Sequence, residues 1–314
     1  MLQYMLRRLG LMVPTVVGAS IVVFALVRFM PGSAIDAMVA DTPGDQVTVD
    51  RLKERFGLDR PVLEQYMRWV GNISVGDFGT SFRTGQPIRS ELMTFMPASV
   101  ELGMLSLALA VVVAIPTGVV AALFRDGALD YGARGLAVLA LATPAFWIGI
   151  LVITWPSIWW GWSPPIHYVN IWEDPLGNLS VVWIPAAILG LHITGGFIRF
   201  TRTAVLEVMR QDYVRTAWAK GLSSRVVIVR HVMRNAAIPI VTLVGLQAPI
   251  LLGGVVIVES LFIIPGMGRY LLTALQTRDY QVIQAVVMVL VTFVLLINLI
   301  VDMTYSWLDP RIRF

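Results

Sequence analysis

The chain alternates between long apolar runs and shorter polar connections along its whole length. Six of the runs reach the roughly 20 apolar residues that a helix needs to cross a hydrocarbon core of about 30 Å. The predicted spans are 9–29, 100–124, 135–156, 181–197, 238–263 and 282–306. The composition agrees, because 57% of the residues are hydrophobic and only 14% are charged. The pattern therefore predicts an all-α integral membrane protein with six transmembrane helices.

Basic residues are distributed unevenly among the connections. Eight of the 24 Lys and Arg residues lie between Arg199 and Arg234, with only two acidic residues among them. The two short connections on the opposite side hold Arg269 and Arg278 alone. Short cytoplasmic loops carry an excess of Lys and Arg. We therefore expect this loop and both the N and C termini to be cytoplasmic.

This topology divides the chain into three parts. Residues 1–30 form a cytoplasmic N-terminus and the first transmembrane helix, and residues 31–99 form a small helical extracytoplasmic segment. Residues 100–314 form a core of five transmembrane helices that includes the basic loop 199–239. Within 31–99 we predict a helix over 49–56, a second helix that starts at Pro61, and irregular structure from Gly71 to Gly85. This segment either covers the helix bundle or contacts an extracytoplasmic partner.

The basic loop 199–239 has the pattern of two helices joined by a tight turn. The first helix is predicted over 212–220, with Asp212 at its start and Lys220 at its end, as the helix dipole favours. Gly221 is suited to the left-handed conformation that ends a helix. Ser223 or Ser224 can then cap a second helix through 225–234.

Two small residues of this predicted helix, Ala217 and Gly221, leave little side chain on one side of it. Another protein could therefore approach that side closely, which predicts a docking element. The alternative interpretation is a solvated loop whose charges serve only the topology of the chain.

The residues of this loop carry a specific resemblance. The segment 210–222, Arg-Gln-Asp-Tyr-Val-Arg-Thr-Ala-Trp-Ala-Lys-Gly-Leu, and its continuation over 230–239 resemble the permease subunits of ATP-binding-cassette importers for dipeptides, oligopeptides and nickel. Residues 215–217 read Arg-Thr-Ala where importers at large have Glu-Ala-Ala, and the spacing of eighteen residues from Gly221 to Pro239 follows the peptide permeases. Supporting stretches lie at 65–69, 76–83, 143–147, 264–269 and 308–311.

The resemblance implies the fold of a type I importer permease and a role in alternating access. The chain would form half of a translocation pathway for peptides, beside a second homologous permease subunit. Two cytoplasmic ATPase subunits would bind ATP and Mg, and an extracytoplasmic substrate-binding protein would deliver the substrate at a bacterial or archaeal cytoplasmic membrane. The residues that it implies for coupling to the ATPases are Arg215, Ala217, Lys220, Gly221 and Arg225.

The absence of a phosphate-binding motif agrees with a permease that depends on separate ATPase subunits. A phosphate-binding glycine loop needs a following Lys, and the two lysines, Lys53 and Lys220, have no such setting. We therefore predict that the chain is not itself an enzyme and binds no cofactor. With no cysteine and three scattered histidines, no metal site is predicted, and the modest net charge does not indicate nucleic-acid binding.

Polar residues inside the spans are candidates for the translocation path, because a charged group in lipid costs at least about 2.5–3.5 kcal/mol. Gln247, Glu259, Asn298 and Glu101 are the candidates. Alternatively, Arg28 forms an interhelical ion pair with Glu101 or Glu259. The substrate also stays open among peptides, a nickel chelate, glutathione and haem. A more remote alternative is a stand-alone channel or an ion-driven carrier.

Overall fold

The computed structural model describes residues 2–29 and 59–308, with side chains for 7–29, 59–247 and 255–303. Within these ranges the regular structure is helical, apart from one isolated bridge between Thr80 and Pro87. The predicted all-α fold is confirmed. The helices are α1 (Leu2–Phe29), α2 (Val62–Ser74), α3 (Ile88–Leu123), α4 (Ala128–Ala142), α5 (Ala145–Trp160), α6 (Pro175–Met209), α7 (Asp212–Ala219), α8 (Ser224–Val226), a π-helical segment (Val227–Met233), α9 (Arg234–Leu261), α10 (Met267–Gln276) and α11 (Tyr280–Leu308).

Five stretches of helix are long and apolar enough to cross a membrane, and α4 with α5 makes a sixth candidate. These two helices meet at 91°. The prediction of one continuous helix over 135–156 is therefore wrong. Pro144 is the reason, because a proline lacks the amide hydrogen and disfavours helical geometry in the residue before it. Thr143 is accordingly extended, at φ −95° and ψ 119°.

The connection before α3 also differs from the prediction. Helix α2 follows Pro61 as expected, but it continues to Ser74, past the glycine at which irregular structure was predicted. Helix α3 begins at Ile88, well before the predicted start of the second span at residue 100. The apolar run over 100–124 therefore corresponds only to the C-terminal two thirds of α3. The predicted helix over 49–56 lies outside the described residues.

The chain divides into two compact units. The first comprises residues 1–97 and 265–299. Its core contains Val27, Ile88, Leu92, Met267 and Val286, which come from α1, α3, α10 and α11.

The second unit comprises residues 98–264 and 300–314. Helix α6 contributes residues to three of its apolar clusters. Neighbouring backbones approach α6 at two glycines. A Cβ atom on Gly190 would lie 2.7 Å from the Ser106 carbonyl oxygen, and one on Gly195 would lie 2.6 Å from the Ala137 carbonyl oxygen. Small residues allow this close packing between transmembrane helices. Helix α6 therefore packs backbone to backbone against α3 and α4.

Candidate functional site

The turn that ends helix α7 is built as the sequence predicts. Gly221 has a φ of +75°, in the left-handed region that glycine occupies without strain. Its amide donates to the Trp218 carbonyl oxygen at 2.9 Å, and the Leu222 amide donates to the Ala217 carbonyl oxygen at 3.4 Å. This pair of hydrogen bonds is the Schellman motif, which satisfies carbonyl groups at the end of a helix. The prediction that Gly221 ends the helix is confirmed.

Helix α7 has one buried and one exposed face. Val214 and Ala217 are 0% and 5% exposed, and they pack in one apolar cluster with Ala204 and Val205 of α6. Ala217 therefore faces the core of this chain, and the expectation that it offers a surface for another protein is wrong. Its spacing of three residues from the apolar Val214 marks a buried helical stripe, which explains the small side chain by packing.

The exposed face of α7 carries the polar residues. Arg215 and Lys220 lie on it, and the Arg215 guanidinium lies 2.9 Å from the carboxylate of Asp212. Gly221 is also exposed, and a Cβ atom built on it would meet no atom within 4 Å. Arg225 follows on the exposed side of α8. The structure thus places Arg215, Lys220, Gly221 and Arg225 at the surface and Ala217 beneath them.

The second predicted helix of the loop contains an element that the sequence did not indicate. Ser223 takes the position before the helix, as expected, but its side chain makes no capping hydrogen bond. From Val227 to Met233 the helix is π-helical, a geometry that is rare and often found at functional sites. Val227 and Val232 of this segment are buried in the same cluster as Val214 and Ala217. The π-helical segment thus supplies part of the apolar surface against which α7 packs.

A buried ion pair close to this region was also missed. Arg202 of α6 donates from Nε and Nη2 to the two carboxylate oxygens of Asp130 on α4, both at 2.6 Å. The Asp126 amide donates to the same carboxylate at 2.9 Å. The Asp130 side chain is 0% exposed and the Arg202 side chain is 19% exposed. From the sequence, Arg202 is only one of the basic residues that indicate topology, because an ion pair across 72 residues leaves no local pattern.

Glu101 lies in a network of neutral donors. The Tyr168 hydroxyl donates to the Glu101 carboxylate at 2.9 Å, and the Asn178 side-chain amide donates to it at 3.1 Å. Asn178 also donates to the Val169 carbonyl oxygen. Burial, followed by the hydrogen bond and charge of Glu101, raises the pKa of Tyr168, so this hydroxyl stays a donor. Glu101 therefore holds the connection between α5 and α6 in place.

The other residues of the predicted ion pair have their own contacts. Glu259 is 0% exposed and accepts a hydrogen bond from the Ser99 hydroxyl at 2.5 Å. Arg28 donates to the Gln65 side chain at 2.5 Å and stacks over the Phe24 ring at 4.4 Å. The pairing of Arg28 with Glu101 or Glu259 stays a prediction.

The four predicted path residues lie in helices of both units. Gln247 and Asn298 are half-buried, in the second and first unit respectively. An open apolar cleft of about 540 Å³ lies between α3, α5 and α6 in the second unit, where Leu109, Val152 and Trp183 are part of its lining. None of the four predicted path residues lines it. A lining role for them stays a prediction.

Comparison with known proteins covers the whole chain. The family model for the inner membrane component of binding-protein-dependent transport systems matches residues 114–314, and a model for the N-terminal part of such components matches residues 1–103. The dipeptide transport system permease protein DppB of Escherichia coli (strain K12) is 36% identical, across 100% of this chain and 99% of its own length. The di/tripeptide transport system permease protein DppB of Pseudomonas aeruginosa (strain UCBPP-PA14) is also 36% identical, with the same shares covered.

Solved structures of lower identity share the fold. The MetNI methionine ABC transporter in an inward-facing conformation matches with a TM-score of 0.58 at 15% identity, over 70% of this chain and 96% of that chain. An amino acid ABC transporter matches with a TM-score of 0.54 at 12% identity, over 69% and 94%. This chain belongs to the family of inner membrane components of binding-protein-dependent transport systems.

Proposed function

We propose that this chain is a permease subunit of an ATP-driven peptide importer and that α7 couples it to the ATPases. The observation that carries the proposal is the two-sided character of α7. Its Val214–Ala217 face is packed against α6 and the π-helical segment, while Arg215, Lys220 and Gly221 stay exposed. A helix fixed on one side and open on the other can pass a displacement of a bound partner to the transmembrane helices.

The partners follow from the proposed role. Two ATPase subunits that bind ATP and Mg occupy the cytoplasmic side, a second homologous permease subunit completes the pathway, and a substrate-binding protein acts on the outside. The basic loop 199–239 supports a cytoplasmic position for α7 and for both termini. Arg215, Lys220 and Arg225 then contact the ATPase directly, whereas Ala217 acts by anchoring α7.

The substrate class rests on the relatives. Permeases of dipeptide and di/tripeptide transport systems match this chain from end to end at 36% identity, which supports a peptide as the substrate. Uptake of a labelled dipeptide into liposomes that contain the purified complex, compared with nickel chelate, glutathione and haem, distinguishes the candidates. We expect ATP-dependent uptake of the dipeptide in the presence of the binding protein. Uptake of one of the other compounds instead would contradict the peptide assignment alone.

The sequence offers a direct test of the docking face, because it contains no cysteine. A single Thr216→Cys substitution puts one thiol on the exposed face of α7. We expect a crosslinker with one maleimide and one photoreactive diazirine, which inserts into any nearby bond on illumination, to link it to an ATPase subunit in native membranes. Ser163→Cys, exposed in the connection between α5 and α6, is the matched control and should react only from the outside. An ATPase crosslink from residue 163, or none from 216, would contradict the proposed arrangement.

Gly221 tests the coupling itself. Gly221→Pro is incompatible with a φ of +75° and removes the amide that bonds to Trp218, so the end of α7 must rearrange. We expect the complex to assemble and hydrolyse ATP while uptake is lost. Gly221→Asn, which tolerates the left-handed region, should retain uptake. Normal uptake by the Gly221→Pro complex would contradict the role of α7.

A further inference from the structure

The Asp130–Arg202 ion pair joins α4 to the end of α6, within the second unit. Arg202 is on the last two turns of α6, and α7 begins three residues after α6 ends at Met209. On the same turns, Ala204 and Val205 pack against Val214 and Ala217 of α7. The end of α6 therefore contacts α7 through apolar side chains and α4 through a buried ion pair.

We infer that Asp130 and Arg202 are positioning residues for energy coupling, which hold α4 to the end of α6 so that a displacement of α7 also moves the bent pair α4–α5. The inference rests on the proposed function of α7 and adds a route from it into the transmembrane helices. It concerns contacts within the second unit, from α7 through α6 to α4.

The geometry of the pair suits this role better than apolar packing alone. Apolar surfaces can slide past one another with little change in contact energy, because dispersion and burial have no preferred direction. A bidentate bond between a guanidinium and a carboxylate fixes both distance and orientation. The Asp126 amide gives the Asp130 carboxylate a third donor, which ties it to the turn that precedes α4. Sliding α6 along α4 would therefore separate two desolvated charges.

A second ion pair at the same end of α4 provides a contrast. Arg125 and Asp126 approach within 3.0 Å, but their side chains are 49% and 61% exposed. Exposed pairs are screened by water and contribute little to rigidity. This pair joins adjacent residues and connects no two helices, so it offers a matched control for charge removal in the same region.

The test measures dipeptide uptake per ATP hydrolysed by the reconstituted complex. Because Asp130→Asn leaves Arg202, whose side chain is only 19% exposed, without its counter-ion, the decisive variant is the double Asp130→Asn/Arg202→Gln, which removes both charges and leaves neither unpaired. We expect it to assemble and hydrolyse ATP with uptake per ATP reduced at least about fivefold, the lower end of typical coupling between sites. Arg202→Lys, which keeps the charge but loses the bidentate bond, should lower the ratio less.

Arg125→Gln should leave the ratio at the wild-type value. A wild-type ratio in the double variant, or losses of hydrolysis and uptake that only follow the yield of complex, would overturn the positioning role. Failure of the proposed function has a different signature, because the wild-type complex itself would then show no ATP-driven uptake.

Discussion

The two ends of helix α6 are held by carboxylates from other helices, but the chemistry of the two sites differs. Near its start, Asn178 donates to Glu101, which also accepts from Tyr168. Near its end, Arg202 donates twice to Asp130. The first site contains neutral donors that could bind another acceptor. The second pairs two charges, of which the Asp130 side chain is 0% exposed.

The difference shows how rigidity can be distributed along one helix. A hydrogen bond to a charged group contributes about 1.5–3 kcal/mol, so each neutral donor can leave Glu101 at a lower cost than a buried ion pair can be broken. Breaking a buried ion pair leaves an uncompensated charge and costs about 3–5 kcal/mol. The end of α6 that leads into α7 is therefore the more firmly fixed end.

The largest difference in the free energy of unfolding is expected between two carboxylate-to-amide substitutions, one at each end of α6. Asp130→Asn removes the counter-ion of Arg202 and should lower the free energy of unfolding by about 3–5 kcal/mol. Glu101→Gln keeps an oxygen that can accept from Tyr168 and Asn178, so it should cost about 1 kcal/mol or less. Thermal unfolding in detergent, followed for both variants beside the wild type, measures the difference. Equal shifts would abolish the distinction between the two ends.

In the middle of α6, an added methyl group should destabilise the protein on one face of the helix only. Gly195→Ala places a methyl group against the Ala137 carbonyl oxygen, and overpacking of this kind costs about 1–3 kcal/mol. Gly196→Ala is the matched control, because a Cβ atom there meets nothing within 4 Å. The same unfolding measurement should show a lowered midpoint for the first variant alone. A comparable loss in Gly196→Ala would contradict the packing described for α4 and α6.

A comparable effect is expected at the Glu101 site. Tyr168→Phe removes one donor to the Glu101 carboxylate and should cost about 1.5–3 kcal/mol, as for a hydrogen bond to a charged group. Folding raises the pKa of Tyr168 through burial and Glu101, so the hydroxyl's contribution is complete below the unfolded value of about 10 and declines only as the pH rises toward the folded pKa. Unfolding midpoints at neutral and mildly alkaline pH should therefore show the same difference between wild type and variant. A difference that vanishes in mild alkali would contradict this assignment.

The smallest effect should come from two buried threonines of α6. The Thr201 hydroxyl has no hydrogen-bond partner among the described residues, whereas the Thr194 hydroxyl donates to the Gly190 carbonyl oxygen at 2.8 Å. Thr201→Val removes an unsatisfied buried group and should be neutral or raise the free energy of unfolding by up to about 1 kcal/mol. Thr194→Val should lower it by about 1 kcal/mol. A larger loss in Thr201→Val than in Thr194→Val would reverse the expected order.

Most of the fold could be predicted because its signals are local. Apolar length marked the spans, and Gly221 marked the end of α7, since a left-handed turn and its hydrogen bonds depend on neighbouring residues alone. The bend at Pro144 also has a local cause. It was not predicted because the apolar run 135–156 continues on both sides of the proline. The π-helical segment Val227–Met233 was not predicted, and its buried Val227 and Val232 pack in one cluster with Val214 of α7.

The residues of the candidate site also differ in how far the sequence could place them. Arg215, Lys220 and Gly221 could be placed on an exposed helix end from their order along the chain. Ala217 could not be assigned to a face, because an alanine fits both a contact surface and a buried stripe, and only the packing against α6 selects the second.

The sequence by itself determined the membrane class, the family and the capped loop, because each depends on composition or on residues that are close along the chain. The tertiary structure alone decided that Asp130 meets Arg202, that Glu101 meets Tyr168, and that α6 packs on its neighbours through Gly190 and Gly195. These contacts join residues that are far apart in the chain. Their energies depend on desolvation and on distances of a few ångströms, which exist only once the helices have packed.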